Sequence, residues 1–184
     1  MNSAPGRARA VATILLAGCT VKPLELEVDH FLTPCVVKTL QLCPLIRAPD
    51  EPRPGVFREE IAGWSPTWGR YETLSVLRTT GTDVSGKGIL SYELVEVIES
   101  REATPGTPFS YTWSNEDEDA MHQGVHTSGT TGELLDGHPF TCEPAAVCEG
   151  LREYETARGR VQLQLRYGDD VDGPFEAWSV TLLQ

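Results

Sequence analysis

The chain has no apolar run long enough to cross a bilayer as a helix. Its one candidate, Ala10–Ala17 (AVATILLA), falls far short of the roughly 20 residues such a helix needs. Positive charge is also scarce: 15 Lys and Arg stand against 27 Asp and Glu, for a formal charge of -12. That balance argues against partners that require a basic surface, namely nucleic acid and anionic membrane. Neither G-x-S-x-G nor H-E-x-x-H occurs, so the local signatures of a serine hydrolase and a zinc protease are missing. No two cysteines have the C-x2-C spacing of a zinc ribbon or knuckle. Carboxylate-based hydrolysis leaves no local signature, so these absences do not touch it.

What the chain does have at its start is a basic segment with Arg7 and Arg9, the apolar run, and then LLAGCT. That order reads as a signal peptide and not as a membrane span. Leu16, Ala17, Gly18 and Cys19 resemble the lipobox of bacterial lipoproteins. The resemblance implies cleavage before Cys19, a thioether-linked diacylglycerol on its sulfur, and acylation of the new amino terminus. Each buried methylene contributes about 0.8 kcal/mol and one acyl chain anchors only marginally, so two or three chains would hold a domain firmly. Thr20 stands where Asp commonly retains such lipoproteins at the inner membrane. The expected address is therefore the outer membrane of a Gram-negative cell, facing the periplasm or the cell surface. Loss of residues 1–18 leaves 166 of the 184 residues and moves the formal charge to -14, since two arginines and no acid are removed. That length suits one ordinary domain or two small ones.

Four further cysteines are Cys35, Cys43, Cys142 and Cys148. In an oxidising compartment an even count reads as disulfides, and the short separations favour Cys35 with Cys43 and Cys142 with Cys148, one of three pairings. Each would close a small loop and stabilise by about 2 to 3 kcal/mol. A zinc site built from four thiolates is the competing reading.

The periodicity is that of strands. LELEVDHFL (24–32) puts Leu24, Leu26, Val28 and His30 on one face, and KTLQLCPLIR (38–47) gives a second strand interrupted by Pro44. APDEPRPG (48–55) is a Pro-rich loop. YETLSVLRTT (71–80) sets Tyr71, Thr73, Ser75 and Leu77 against Leu74, Val76 and Arg78. ILSYELVEVIE (89–99) places Leu90, Tyr92, Leu94 and, after a slip, Val97, and pairs with it as a hairpin. FSYTWS (109–114) is a strand inside an otherwise irregular stretch. EPAAVCEGLREYET (143–156) carries Val147, Leu151 and Tyr154 at helical spacing, stapled at its entrance by Cys142 and Cys148. RVQLQLRYG (160–168) points Val161, Leu163, Leu165 and Tyr167 inward, and FEAWSVTLL (175–183) returns with Trp178, Val180 and Leu182 on one face.

Ile61, Gly63, Trp64, Gly69, Leu74, Val76, Asp83, Ser85, Tyr92, Leu94 and Val97, preceded by Cys35 and Cys43, resemble an envelope-lipoprotein family called domain of unknown function 4377. The likeness covers about residues 28–100. Trp64 stands where Phe is usual, and Tyr71 is displaced from its usual place near Gly69. The resemblance implies a fold and an envelope location but no reaction; the family sometimes accompanies META/HslJ-like domains.

Two stretches imitate phosphate loops. GTDVSGKG (81–88) has Gly81, Gly86 and Lys87 in register with a P-loop, but Gly88 replaces the hydroxyl that holds magnesium, and strands flank it where a helix must follow. TSGTTG (127–132) is similar to the phosphate loop of adenylate-forming enzymes, yet it continues into Glu133, Leu134, Leu135 and Asp136 with no lysine. Both read as turns, so no nucleotide partner is expected. His122, His126, His138 and Asp119 tempt a metal reading that Gly124 weakens by breaking any helix between the histidines. Asp170, Asp172 and Gly173 suggest a calcium loop without EF-hand register.

The expected fold is mainly β, a small open barrel or sandwich of antiparallel hairpins with one short α-helix; α+β is the alternative. The organisation reads as a signal peptide (1–18), a lipidated tether (19–27), a β domain (28–102), an irregular acidic connection (103–139), and a helix plus hairpin (140–184) packed on the same domain. No catalytic residue, metal ligand or cofactor site emerges. The leading function is a lipid-anchored, non-enzymatic interaction or structural module with an envelope protein partner. The alternatives are a small-ligand-binding module with a pocket lined by Trp64, Trp68, Trp113 and Trp178, and a cryptic hydrolase.

Overall fold

The computed structural model describes residues 22–82, 84–114, 124–154 and 159–183. Strands β1 (Leu24–Val36), β2 (Leu40–Arg47), β3 (Gly55–Val56), β4 (Ile61–Ala62), β5 (Arg70–Thr82) and β6 (Gly88–Glu102) make a first sheet in the order β3-β2-β1-β5-β6-β4. A second sheet contains β7 (Pro108–Ser114), β8 (Val125–Ser128), β9 (Thr131–Leu134) and β10 (Pro139–Cys142). After the helix α1 (Ala146–Tyr154), β11 (Arg160–Tyr167) and β12 (Phe175–Leu183) complete it in the order β7-β11-β12-β10-β9-β8. The fold is thus mainly β with one short helix among the described residues, as the periodicity predicts.

The first sheet follows from the alternation in β1, where Leu26, Val28, His30 and Leu32 are buried and the residues between them are not. Leu26 lies opposite Leu74, and Val28 opposite Ile46. With Ile61 and Val76 these residues form one core, against which Phe57, Trp64, Tyr92 and Leu94 pack. The second sheet is built on β11, whose Val161, Leu163, Leu165 and Tyr167 are all buried between β7 and β12. Val147, Cys148 and Leu151 of α1 close that core from one side.

Four expectations need correction. Trp178 does not share a face with Val180 and Leu182. The pairing passes from Gln164–Ser179 to Leu165–Ala177, so Trp178 is the extra residue of a β-bulge, and it is exposed while Val180 and Leu182 pack on the core. The stretch read as an irregular connection, 103–139, holds among its described residues not only the expected strand at 109–114 but also the β8–β9 hairpin and the start of β10. Residues 24–27, read as tether, belong to β1. The helix begins at Ala146 and not at Glu143, since residues before it make turn bonds from Val147 to Pro144 and from Cys148 to Ala145.

The sheets meet where β1, the segment before β5, and β11 converge. The Gly69 N–H donates to the His30 carbonyl at 2.8 Å and to the Tyr167 hydroxyl at 3.0 Å, and the Gly69 carbonyl accepts from Ala103 N–H at 2.7 Å. Gly69 has φ of 76°, and a Cβ there would fall 2.3 Å from Cγ1 of Val171. Only glycine satisfies both conditions. Phe31, Leu42, Trp68 and Tyr71 from the first half pack against the second core, so the two sheets share one interior at this seam.

Candidate functional site

The cysteines form two bridges, Cys35–Cys43 across β1 and β2 and Cys142–Cys148 between β10 and α1, with Cα separations of 5.9 and 5.7 Å. The four sulfurs are therefore occupied pairwise, one pair within the first sheet and the other between the second sheet and α1, and the four-thiolate zinc reading falls. Leu16, Ala17, Gly18 and Cys19 lie outside the described residues, as do Asp83, Asp119 and His122.

Both phosphate-loop imitations are turns. GTDVSGKG joins β5 to β6, with Thr82 opposite Gly88, and a strand follows it where a P-loop needs a helix. TSGTTG is the β8–β9 hairpin, with Ser128 opposite Thr131. Gly129 has φ of 63° and Thr130 has no positive φ, which is the pattern of a type II′ turn. Of the histidines, His126 sits opposite Glu133 on that hairpin. His138 stacks on Phe175 at 3.9 Å with Nε2 3.1 Å from the Gly173 carbonyl. Among the described residues no three His, Cys, Asp or Glu side chains come together as metal ligands. The acids of DDVDGP close their own turn: Asp170 accepts the Asp172 N–H on its carboxylate and the Gly173 N–H on its carbonyl.

The four tryptophans do not line one pocket. Trp113 is in the second core, Trp68 packs on it while donating to Asp136 at 2.8 Å, and Trp178 faces solvent. Trp64 donates to Glu72 at 2.7 Å and borders a cleft of about 480 Å³ shared with Lys38, Gln41, Phe57, Arg58 and Glu60.

His30 is the one buried imidazole among the described residues. It lies against Phe31, Tyr71, Phe109 and Tyr167. Burial holds its pKa below the ordinary value; Asp29 opposes that shift and Arg101 adds to it. Burial likewise raises the phenols of Tyr71, Tyr111 and Tyr167. Because the Tyr167 hydroxyl donates to the His30 carbonyl, it accepts toward the ring, so the neutral His30 carries its proton on Nδ1, 3.2 Å away. This cluster is sealed and serves the seam between the sheets.

The surface that departs from ordinary packing is β6. Two bulges shape it. Leu94 lies opposite Val76, Glu96 opposite Ser75, Val97 opposite Leu74 and Glu99 opposite Thr73, which leaves Val95 and Ile98 as the inserted residues. In LVEVIE, Leu94 and Val97 thus fall on the side of the core and Glu96 and Glu99 on the other, with Val95 and Ile98 completing an apolar row along the strand. Cross-strand rows continue the acidic face onto β1 as Glu25–Ser75–Glu96 and Glu27–Thr73–Glu99. Arg47 pairs with Glu27, Arg70 with Glu102 at 2.9 Å, and Arg101 lies 4.2 Å over the Tyr71 ring. Glu93, Glu96 and Glu99 have no ion pair among the described residues.

The apolar row is poorly covered. Val95, Val97 and Ile98 are 42–50% exposed, although Leu74 and Val76 opposite them are fully buried. Nearer the turn, Ile89 and Leu90 are also exposed, in a two-stranded arm that extends past the last β1 pairing at Leu24–Val76. On its outer side β6 has only the two-residue β4, at Tyr92 and Glu93; from Leu94 to Glu102 it has a strand on one side alone among the described residues. The periodicity places these residues in a strand but does not show which neighbours that strand has. No family model, no curated protein and no solved structure matches the chain.

Proposed function

We propose that this chain is a lipid-anchored cell-envelope protein that acts by binding another protein and not by catalysis. The observation that carries the reading is the exposure of Val95, Val97 and Ile98 on a strand edge that no other strand pairs with among the described residues. Exposed apolar surface of this kind is characteristic of interaction sites. Two disulfides suit an oxidising compartment, in keeping with an anchor at Cys19 and an outer-membrane address.

Two measurements test this. Cys19→Ala should move the protein from the membrane fraction to the soluble fraction and abolish incorporation of labelled palmitate; a native product that keeps Met1 and carries no acyl chain rejects the anchor. A photo-crosslinking residue at Val95 or Ile89 should yield adducts with an envelope protein in cells, while the same residue at exposed Asp50 should not. Absence of adducts from every β6 position rejects the binding role.

A second reading has one observation in its favour. The cleft beside Phe57 and Trp64 is of a size that takes small ligands, and it offers Lys38, Arg58 and Glu60 as polar contacts. Retention of a small molecule that Trp64→Ala releases would favour it.

A further inference from the structure

We infer that the free edge of β6 receives an extended segment of the partner protein in which apolar residues alternate with Lys or Arg. This rests on the interaction reading above and names the partner's chemistry. Main-chain groups of an unpaired edge are a template for an added strand, and side-chain pockets beside it select the sequence.

The edge available runs from Leu94 to Glu102. An incoming strand places alternate side chains on the two faces of the sheet. On the core side they meet Leu94 and Val97, opposite the buried Val76 and Leu74, and the exposed bulge residues Val95 and Ile98 add apolar surface along the same edge. On the other side they meet Glu96 and Glu99, with Glu25 and Glu27 two strands further in. Neighbouring strands lie about 4.8 Å apart, so a lysine or arginine on the added strand reaches the first glutamate row directly. Apolar on one face and cationic on the other is the complement of what β6 presents.

A second copy of this chain does not fit. Antiparallel pairing of β6 with itself around a two-fold axis would bring Glu96 and Glu99 of one copy beside those of the other, and like charges across a pair are destabilising. An anionic membrane surface is disfavoured by the same carboxylates. The bulges at Val95 and Ile98 interrupt the outer ladder, which limits indiscriminate edge pairing and leaves selection to the side chains.

The test uses the purified full chain and three fluorescent nonapeptides: alternating Val and Lys, alternating Val and Glu, and the Val/Lys peptide N-methylated at every residue so that neither edge can donate. Fluorescence anisotropy at physiological ionic strength should show binding of the Val/Lys peptide and none of the Val/Glu peptide. N-methylation, which removes donors but keeps charge, should weaken binding by at least about tenfold. The double variant Glu96→Lys with Glu99→Lys should weaken the Val/Lys peptide by about tenfold or more, a loss of about 1.4 kcal/mol. Both positions are exposed, and the methylation arm decides the question even if that variant fails to fold.

Equal binding of the methylated and unmethylated peptides would overturn strand addition, as would no binding of the Val/Lys peptide up to about 1 mM. If photo-crosslinks at Val95 persist while no peptide binds, the interaction reading stands and the strand mode is wrong; if both fail, both are wrong.

Discussion

The Tyr167 hydroxyl donates to the main-chain carbonyl of His30, 137 residues away, and so ties the second sheet to the first. It also accepts the Gly69 N–H. Two chain segments brought together by so few polar atoms make those atoms sensitive points.

Tyr167→Phe keeps the ring contacts with His30, Phe109 and Phe175 and deletes only the hydroxyl. Gly69 N–H and the His30 carbonyl still have each other, but the buried His30 Nδ1–H loses its acceptor. The expected cost is about 1 to 3 kcal/mol, read as a lower urea midpoint with an unchanged m-value. For a chain of this size the melting temperature falls by about 2 to 4 °C per kcal/mol.

Gly69→Ala should cost more than Tyr167→Phe. Its Cβ would overlap Val171 and its φ is positive. Adding Val171→Ala removes the overlap and leaves the backbone penalty, so the double variant should recover part of the lost stability. Full recovery would show that the left-handed conformation is not required.

The buried His30 makes stability depend on pH in a defined direction. Its folded pKa lies below the ordinary 6.5, so at neutral pH the ring is uncharged in both states. As pH falls through 6.5 the unfolded chain takes up the proton first, and stability declines. Between pH 7 and pH 5 the wild type should lose more stability than His30→Gln, whatever the difference in their starting values. The two proteins differ in this side chain alone, so parallel curves would remove His30 as the cause.

The cystines should leave no titratable thiol at the four positions without reductant, by mass spectrometry after alkylation. Replacing Cys142 and Cys148 together by Ser should destabilise by about 2 to 3 kcal/mol, as should the pair Cys35 and Cys43. Finding four free thiols in the native protein would remove both staples.

Much of the fold was legible because it is encoded locally. Val161, Leu163, Leu165 and Tyr167 alternate without a break, and all four are buried. The glycines of GTDVSGKG mark a turn, and Cys142 and Cys148 are close enough in sequence to indicate their own pairing. The β8–β9 hairpin was not legible, because strands of four residues with a single large apolar side chain each, Val125 and Leu134, carry too little alternation to register against loop composition. The slip noted at Val97 is a bulge, but periodicity reveals only that a residue has been inserted, not which strand lies beyond. The interaction edge stayed hidden for that reason: Leu94 and Val97 look like any strand interior until the neighbours are known, and neighbours are set by pairing over long distances in sequence.

Trp178 gives a direct check on the bulge in β12. If the alternation of FEAWSVTLL ran unbroken, Trp178 would share the inward face with Val180 and Leu182. The shift at Gln164/Leu165 instead turns it outward, where it is 45% exposed, against 9% for Trp113. Iodide should therefore quench a red-shifted component of the tryptophan emission, and Trp178→Phe should remove most of that component with little change in stability. Deleting Trp178 altogether should reset the register, restoring an unbroken Leu165–Ala177 and Gln164–Ser179 ladder, and the protein should fold. If Trp178→Phe instead costs several kcal/mol and leaves quenching unchanged, the indole is in the core and the pairing on either side of it is wrong.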